Sequence, residues 1–291
     1  MSMQHLFEKY RYSEPAPEGC WSNFLGVVTD CSVLDYGPQF SGQELHGDPV
    51  PNDGVHGGDT EYAAVLEAIN DAETYGRRTF SMAELGAGWG PWIVNAGVVA
   101  KRGDFDTINL VGVEADEARF RTMEDHVTRN GLTNDARVHP HLYFGAAWNE
   151  KTTLKFPKVP LHDYGAAASD NTQEYRGKSL EMVDIPTWTL EDCVGDLGII
   201  DLMHWDIQGA ESRIAESGRR FLNKRVRSLQ IGTHSRPIEG RLFTLFDDMG
   251  WEIIREKPCS MHHRRDILSM ENMNSLDGEI YVRNPALWSR P

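Results

Sequence analysis

From Asp59 onward the apolar positions fall into two alternating periods. Over 59–76 ("DTEYAAVLEAINDAETYG"), Tyr62, Val65, Leu66, Ile69 and Ala72 recur on one helical face, with Asp59 as the expected N-cap and Gly76 as the stop. "TFSMAEL" (79–85) reads as a short apolar strand, and 90–103 ("GPWIVNAGVVAKRG") predicts a helix facing inward through Trp92, Ile93, Ala96, Val99 and Ala100. The alternation continues with a strand at 108–116, a more polar helix over 116–131 ending at Gly131, and a third strand with its exit loop over 136–148. After a less regular stretch come a short helix (189–198), a strand (199–207), a helix (209–224) and a strand (226–234). A helix over 236–250 aligns Ile238, Leu242, Leu245, Phe246 and Met249, and two strands, 251–258 and 278–284, close the pattern.

Strands alternating with helices make a parallel sheet covered on both faces. The expected fold is α/β: a Rossmann-like, doubly wound, mostly parallel sheet. Its last two strands should pair antiparallel, because no helix separates them. Ligands of such sheets lie outside the carboxyl ends of the strands, which here are 84–90, 114–116, 145–148, 205–209 and 233–236. Residues 1–58 read as an irregular N-terminal extension rich in Gly, Pro, Asp and Asn, set apart from a domain spanning 59–291. The aromatics Tyr10, Tyr12, Trp21, Phe24, Tyr36 and Phe40 argue that part of this extension packs on the main body, placed to cover the active site.

The first strand runs into "MAELGAGWGPW" (82–92), a strand-to-helix turn with three glycines. Gly86 and Gly88 fit the first two positions of the dinucleotide fingerprint G-x-G-x-x-G, but the third falls on Pro91 and Gly90 is one place early. With Glu84 at the mouth as well, NAD or FAD is disfavoured. No G-K-[ST] follows, which disfavours a phosphate-cradling ATPase.

E-x-G-x-G-x-G after a strand resembles motif I of class I S-adenosylmethionine methyltransferases. Glycines let the backbone approach a cofactor closely, and a zwitterionic methionine moiety with a cationic sulfur tolerates a nearby carboxylate. That resemblance implies Glu84, Gly86, Ala87, Gly88 and Gly90 as cofactor-binding residues. Glu114, followed by Ala115, ends the second strand, placed to accept hydrogen bonds from both ribose hydroxyls. The cofactor implied is S-adenosyl-L-methionine, with S-adenosyl-L-homocysteine as product.

A second constellation narrows the resemblance. "IIDLMHWDIQGAES" followed by "LQIGTHSRPIEGRLFTLFDDMGW" resembles the FkbM-type methyltransferases, whose fourth strand ends in a D-[V/I]-[E/Q]-G-A-E run. Asp206, Ile207, Gln208, Gly209, Ala210 and Glu211 match it. "YGAAASD" (164–170) and "VDIPTWTLEDCV" (183–194) also look like segments of that family, and the likeness covers roughly 60–285. It implies O-methylation of a hydroxyl on a sugar or small natural product. Gln208 stands where many relatives have Glu, so any role of that acid in catalysis or metal binding does not transfer.

A hydroxyl acceptor must lose a proton, and a histidine near neutral pKa suits that task. His234, ending the fifth strand, is the expected base, and Asp206 is expected to orient it, bind the acceptor or hold a metal. His204 shares a strand face with Asp206 and reads as a core residue. Asp206, His234 and Glu239 are the candidate hard ligands for a divalent cation, although a metal-free mechanism is favoured. Trp205, Trp89 and Trp92 are candidates to wall the site, Trp92 fitting core spacing better. The acceptor pocket is expected from 46–56, 161–181 and "CSMHHRRD" (259–266).

Charge narrows the partners. A formal net charge of −15 over 291 residues, with a pI of about 5.1, repels a phosphate backbone. "MHHRRD" (261–266) is the one basic patch and reads as a solvated loop. Cys20, Cys31, Cys193 and Cys259 are scattered, without C-x-x-C, which predicts free thiols in a reducing cytoplasm. No apolar run nears about eighteen residues, and the N-terminus lacks the apolar core of a signal peptide. The expected partner is a small-molecule acceptor, with neither nucleic acid nor membrane, and self-association is left open. The competing readings are a non-catalytic methyltransferase-like module that binds the cofactor or a protein, and an NAD-dependent oxidoreductase.

Overall fold

The computed structural model describes residues 2–46, 57–161, 165–166, 174–175, 178–265 and 273–288. Seven strands form the central sheet: β1 (Thr79–Leu85), β2 (Thr107–Glu114), β3 (Val138–Phe144), β4 (Leu202–Trp205), β5 (Ser228–Thr233), β6 (Glu252–Lys257) and β7 (Gly278–Arg283). Their order across the sheet is β6-β7-β5-β4-β1-β2-β3. β1 to β5 pair in parallel, and β7 runs antiparallel to both neighbours. This is a doubly wound, Rossmann-like, mostly parallel sheet. The closing pair is antiparallel as expected, and β7 inserts between β5 and β6 so that the last strand is covered on both edges.

The helices follow from the apolar stripes. α1 (Met3–Tyr10) opens the chain and α2 (Asp59–Thr74) precedes β1. α3 (Pro91–Lys101) and α4 (Glu117–Arg129) follow β1 and β2. α5 (Leu190–Val194) leads to β4, α6 (Glu211–Ser217) and α7 (Arg219–Arg225) lead to β5, and α8 (Arg236–Asp248) leads to β6. One core lies under α1 to α4 and includes Phe24, Tyr62, Leu66, Trp92 and Leu110; the other, under α5 to α8, includes Met203, Trp205, Ile231, Leu242 and Phe246.

Three local expectations are corrected. The N-cap of α2 is Gly58, whose N–H is held by the Glu61 carboxylate at 2.9 Å, and Asp59 is the first helical residue. The single helix expected over 209–224 is two helices broken at Gly218, where a Cβ would stand 2.5 Å from Leu190 Cδ1. The N-terminal extension is not irregular over its described part: it contains α1 and a three-stranded sheet of Cys20–Asn23, Val28–Asp30 and Gln43–Leu45. The stretch between β3 and α5 also carries a small sheet, of Ala146–Ala147, Thr153–Pro157 and Met182–Trp188.

The aromatics of the extension do dock on the body. Phe7, Phe24, Tyr62 and Trp92 meet edge to face in a row, with centroids 5.8, 5.0 and 5.1 Å apart. Tyr12 and Tyr36 remain exposed. The four cysteines are free thiols and buried. Among the described residues no helix is long and apolar enough to cross a membrane.

At the amino end of the sheet, Asp201 stitches β4 to its surroundings. Its buried carboxylate accepts from Arg77 Nη1 (3.0 Å), Arg227 Nη1 (2.7 Å) and the Ser81 amide of β1 (3.0 Å). Removing it leaves two largely buried guanidinium groups without their shared partner. Asp201→Ala should therefore lower the unfolding free energy by about 3–5 kcal/mol, measured by urea titration, while an intact midpoint would show that the arginines find other partners.

Candidate active site

The turn after β1 is built by its glycines. Gly86, Gly88 and Gly90 have φ of +72°, +56° and +71°, a region costly for residues with a Cβ. Gly86 is the tightest: a Cβ there would lie 1.8 Å from the Asp206 carbonyl oxygen. The Gly86 and Ala87 amides donate to the Val113 carbonyl of β2 at 3.0 and 2.9 Å. Gly90 caps α3, and Pro91 occupies the first turn, where its missing N–H costs nothing.

The two acids of this region have different tasks. Glu84 is buried and accepts from the Ile93 amide (2.9 Å) and, more weakly, the Trp92 amide (3.4 Å). It closes the amino end of α3, and burial pushes its carboxyl up to about 8. Glu114 is also buried, and burial pushes it up to about 7 against the pull of its amide partners. Its Oε2 accepts from Gly88 N and its Oε1 from Asp116 N, both at 2.7 Å. A carboxylate has about four acceptor sites, so two remain.

Glu114 lines a cleft that opens to solvent. Gly86, Gly88 and Ala115 share the wall, as do Asp206, Ile207 and Gln208 from the end of β4. Of the residues expected at the site, the cleft gathers Gly86, Gly88, Glu114, Ala115 and Asp206. Glu84, Ala87, Gly90 and His234 stand outside its lining. For Glu84 the reason is the helix end it caps; for Gly90 it is the α3 cap.

Asp206 is half exposed, with 48% of its side chain accessible. Burial would raise its carboxyl, but the hydrogen bond and charge of His234 outweigh it and hold it below the usual range. His234 Nε2 lies 3.0 Å from Asp206 Oδ1, and Nδ1 lies 2.7 Å from Glu211 Oε1. Glu211, fully buried at the start of α6, also accepts from the Gly209 amide at 3.1 Å. Burial alone would lower the His234 pKa, yet the two carboxylates push it up to about 11. The two carboxylates thus favour the protonated ring. Nδ1 is held by Glu211, and Nε2 has two neighbours, Asp206 Oδ1 at 3.0 Å and Gln208 Nε2 at 2.8 Å. Gln208 Nε2 donates to Asp206 Oδ1 at 2.8 Å from a backbone at φ +50°, the one non-glycine residue with positive φ among the described residues.

Other candidates are placed elsewhere. Glu239 is turned away from Asp206 and His234: it accepts from Thr233 Oγ1 (2.8 Å), the Cys259 amide (2.7 Å) and Arg236 Nη1 (2.8 Å). No cluster of three or more metal-ligating side chains is present among the described residues. His204 is a buried residue anchored through Nε2 to Glu61 at 3.0 Å. None of the three tryptophans lines the cleft. Trp205 and Trp92 lie in the two cores, and Trp89 packs against Trp21, Val33 and Leu34 of the extension. Trp148, Phe156 and Arg119 line it instead. Sequence reasoning missed Arg119 because it reads as one more polar helix position. Of the expected acceptor segments 46–56, 161–181 and 259–266, residues 47–56, 162–164, 167–173, 176–177 and 266 lie outside the described residues.

No family model matches the chain. A protein of Jannaschia sp. (strain CCS1) named "Putative methyltransferase" is 27% identical over 280 residues, covering 94% of this chain and 95% of that one. Among solved structures, the methyltransferase FkbM from Methylobacillus flagellatus KT is 15% identical over 77% of this chain and 56% of its own, with a TM-score of 0.42. A precorrin-6y C5,15-methyltransferase from Geobacter metallireducens GS-15 is 10% identical over 75% and 86%, with a TM-score of 0.40. At those values neither structural likeness says what the chain does.

The clamp on His234 has a pH signature. Its folded-state pKa is raised from 6.5 to about 11, so its contribution to stability is full below pH 6.5 and is lost progressively as pH rises towards 11. The stability gap between wild type and His234→Gln should shrink across that window in unfolding experiments. Ring nitrogen NMR should find both His234 nitrogens protonated at neutral pH; a ring that titrates near 6.5 would favour His234 as a neutral base.

Proposed function

We propose that the chain is an S-adenosylmethionine-dependent methyltransferase that methylates a hydroxyl of a sugar or small natural product. The observation that carries this reading is the shared wall: the glycine turn, the Glu114 carboxylate and the Asp206–Gln208 strand end face one cleft. The residues fit the cofactor. Glu114 keeps two acceptor sites for ribose hydroxyls, the glycine backbone allows close approach, and Val113, Ala146 and Phe156 supply apolar surface for a flat base. Methyltransferase activity also agrees with the name of the Jannaschia relative.

The cofactor supplies a methyl group already activated on a sulfonium, so most of the catalysis lies in holding the acceptor oxygen in line. Asp206, half exposed beside the cleft, accepts the hydrogen bond of the acceptor hydroxyl and orients its oxygen, and the proton passes to water as the oxygen–carbon bond forms. His234, anchored by Glu211, holds that carboxylate in place and keeps it ionised. Gln208 Nε2 holds the same oxygen, 2.8 Å from the His234 Nε2. The acid lost relative to a Glu at this position is not needed for that arrangement.

Calorimetric titration tests the reading: S-adenosylhomocysteine should bind and NAD should not. Glu114→Gln removes an acceptor oxygen and the charge, and charge-assisted bonds are worth about 1.5–3 kcal/mol. It should weaken S-adenosylhomocysteine binding by roughly tenfold to a hundredfold with the fold intact. Affinity for NAD without any response to S-adenosylhomocysteine would turn the assignment to an oxidoreductase.

A further inference from the structure

We propose that the N-terminal sheet is part of the cofactor-binding apparatus and that His126 is the positioning residue that couples it to the glycine turn. The proposal rests on the reading of that turn as the cofactor loop. It concerns residues that touch neither the cleft nor the acceptor side.

Strand Cys20–Asn23 is the middle of the small sheet, flanked by Val28–Asp30 and Gln43–Leu45. Trp21, Cys31, Val33 and Leu34 form a small core, and Trp89 of the glycine turn packs into it. The turn is thus held from outside by a side chain that a bare Rossmann unit would leave in solvent. His126 on α4, 3% exposed, makes the second link. Its Nδ1 lies 3.0 Å from the Trp89 carbonyl. A carbonyl only accepts, so Nδ1 carries a proton and donates it there. Its Nε2 lies 3.1 Å from Oγ1 of Thr29, itself fully buried in the small sheet.

The chain of bonds continues to the cleft. Trp89 follows Gly88, whose amide donates to Glu114, the acid assigned to the ribose. The sheet is fastened to the same helices at several further points. Asn23 donates to Asn95 of α3 at 2.8 Å, Asn130 exchanges two hydrogen bonds with Val28 at 2.9 Å each, and Arg129 pairs with Asp30 at 2.9 Å. A shift of the sheet against α4 is therefore transmitted to Trp89 and Gly88. Coupling of this kind is reciprocal: whatever the sheet adds to cofactor affinity, the cofactor returns as protection of the sheet.

Two variants of Thr29 in the full chain separate a hydrogen-bonding role from packing. Thr29→Val keeps the shape and loses the hydroxyl; Thr29→Ser keeps the hydroxyl and loses a methyl. Positioning through His126 predicts that Thr29→Val weakens S-adenosylhomocysteine binding about tenfold while Thr29→Ser stays close to wild type. Simple packing predicts the opposite order. S-adenosylhomocysteine should also slow amide hydrogen exchange over Cys20–Leu34 in the wild type. In the ligand-free protein, exchange over the glycine turn, 86–90, should rise in Thr29→Val and not in Thr29→Ser. Equal affinities of Thr29→Val and wild type, or a weaker Thr29→Ser, would overturn the proposal. A wild-type chain that ignores S-adenosylhomocysteine would sink the cofactor reading instead, and the ligand-free exchange comparison would still decide whether Thr29 and His126 hold the turn.

Discussion

The close approach of Gly86 to the Asp206 carbonyl is the constraint on which the site rests. β1 and β4 run in parallel register up to Leu85 and Trp205, and the Asp206 amide then donates to Leu85 at 2.9 Å. No side chain fits between the two strand ends. The chain after β1 must therefore turn towards β2, where Val113 receives its first two amides. That turn sets Gly88 against Glu114 and leaves Asp206 facing the same cleft. Glu114 and Asp206 share a wall because one glycine lets two strands end in contact.

Buried charge divides the work among the ionisable groups. Glu84 and Glu114 are both raised by burial, but their partners differ. Glu84 faces a helix amino end, where two backbone amides use its oxygens. Glu114 faces the cleft and keeps acceptor capacity. On the other side His234 lies between Glu211, which is wholly buried, and Asp206, which is half exposed. The buried carboxylate secures the cation, and the cation secures the exposed carboxylate. The arrangement leaves the Asp206 carboxylate on the wall of the cleft.

The N-terminal sheet belongs to the same economy of contacts. Trp89 of the turn packs on that sheet's small core. Packed against Trp21, Val33 and Leu34, it converts the turn into a buried junction between two sheets. A turn with three positive-φ glycines has much backbone freedom to lose on ordering. Outside contacts to Trp89 restrict it before any ligand arrives.

The local pattern by itself determined the order of strands and helices, because apolar spacing at periods of 3.6 and of 2 survives without tertiary context. It also determined where the turn glycines and Glu114 would fall, since strand ends follow from those periods. What sequence spacing could not decide was direction and partnership. Glu84 and Glu114 look alike as strand-end acids, and only the packing of α3 over β1 aims one of them at a helix end. His234 reads from the sequence as an isolated strand-end histidine, and only the fold brings Glu211, 23 residues away, onto its Nδ1. The N-terminal sheet was illegible because its strands are three or four residues long, too short for a period to register. Its aromatics signalled burial, while their partners on α2, α3 and the glycine turn exist only in the folded chain. Periodicity reports which face of an element is apolar; the pKa of a side chain depends on what stands within a few ångströms, and tertiary structure alone supplies that.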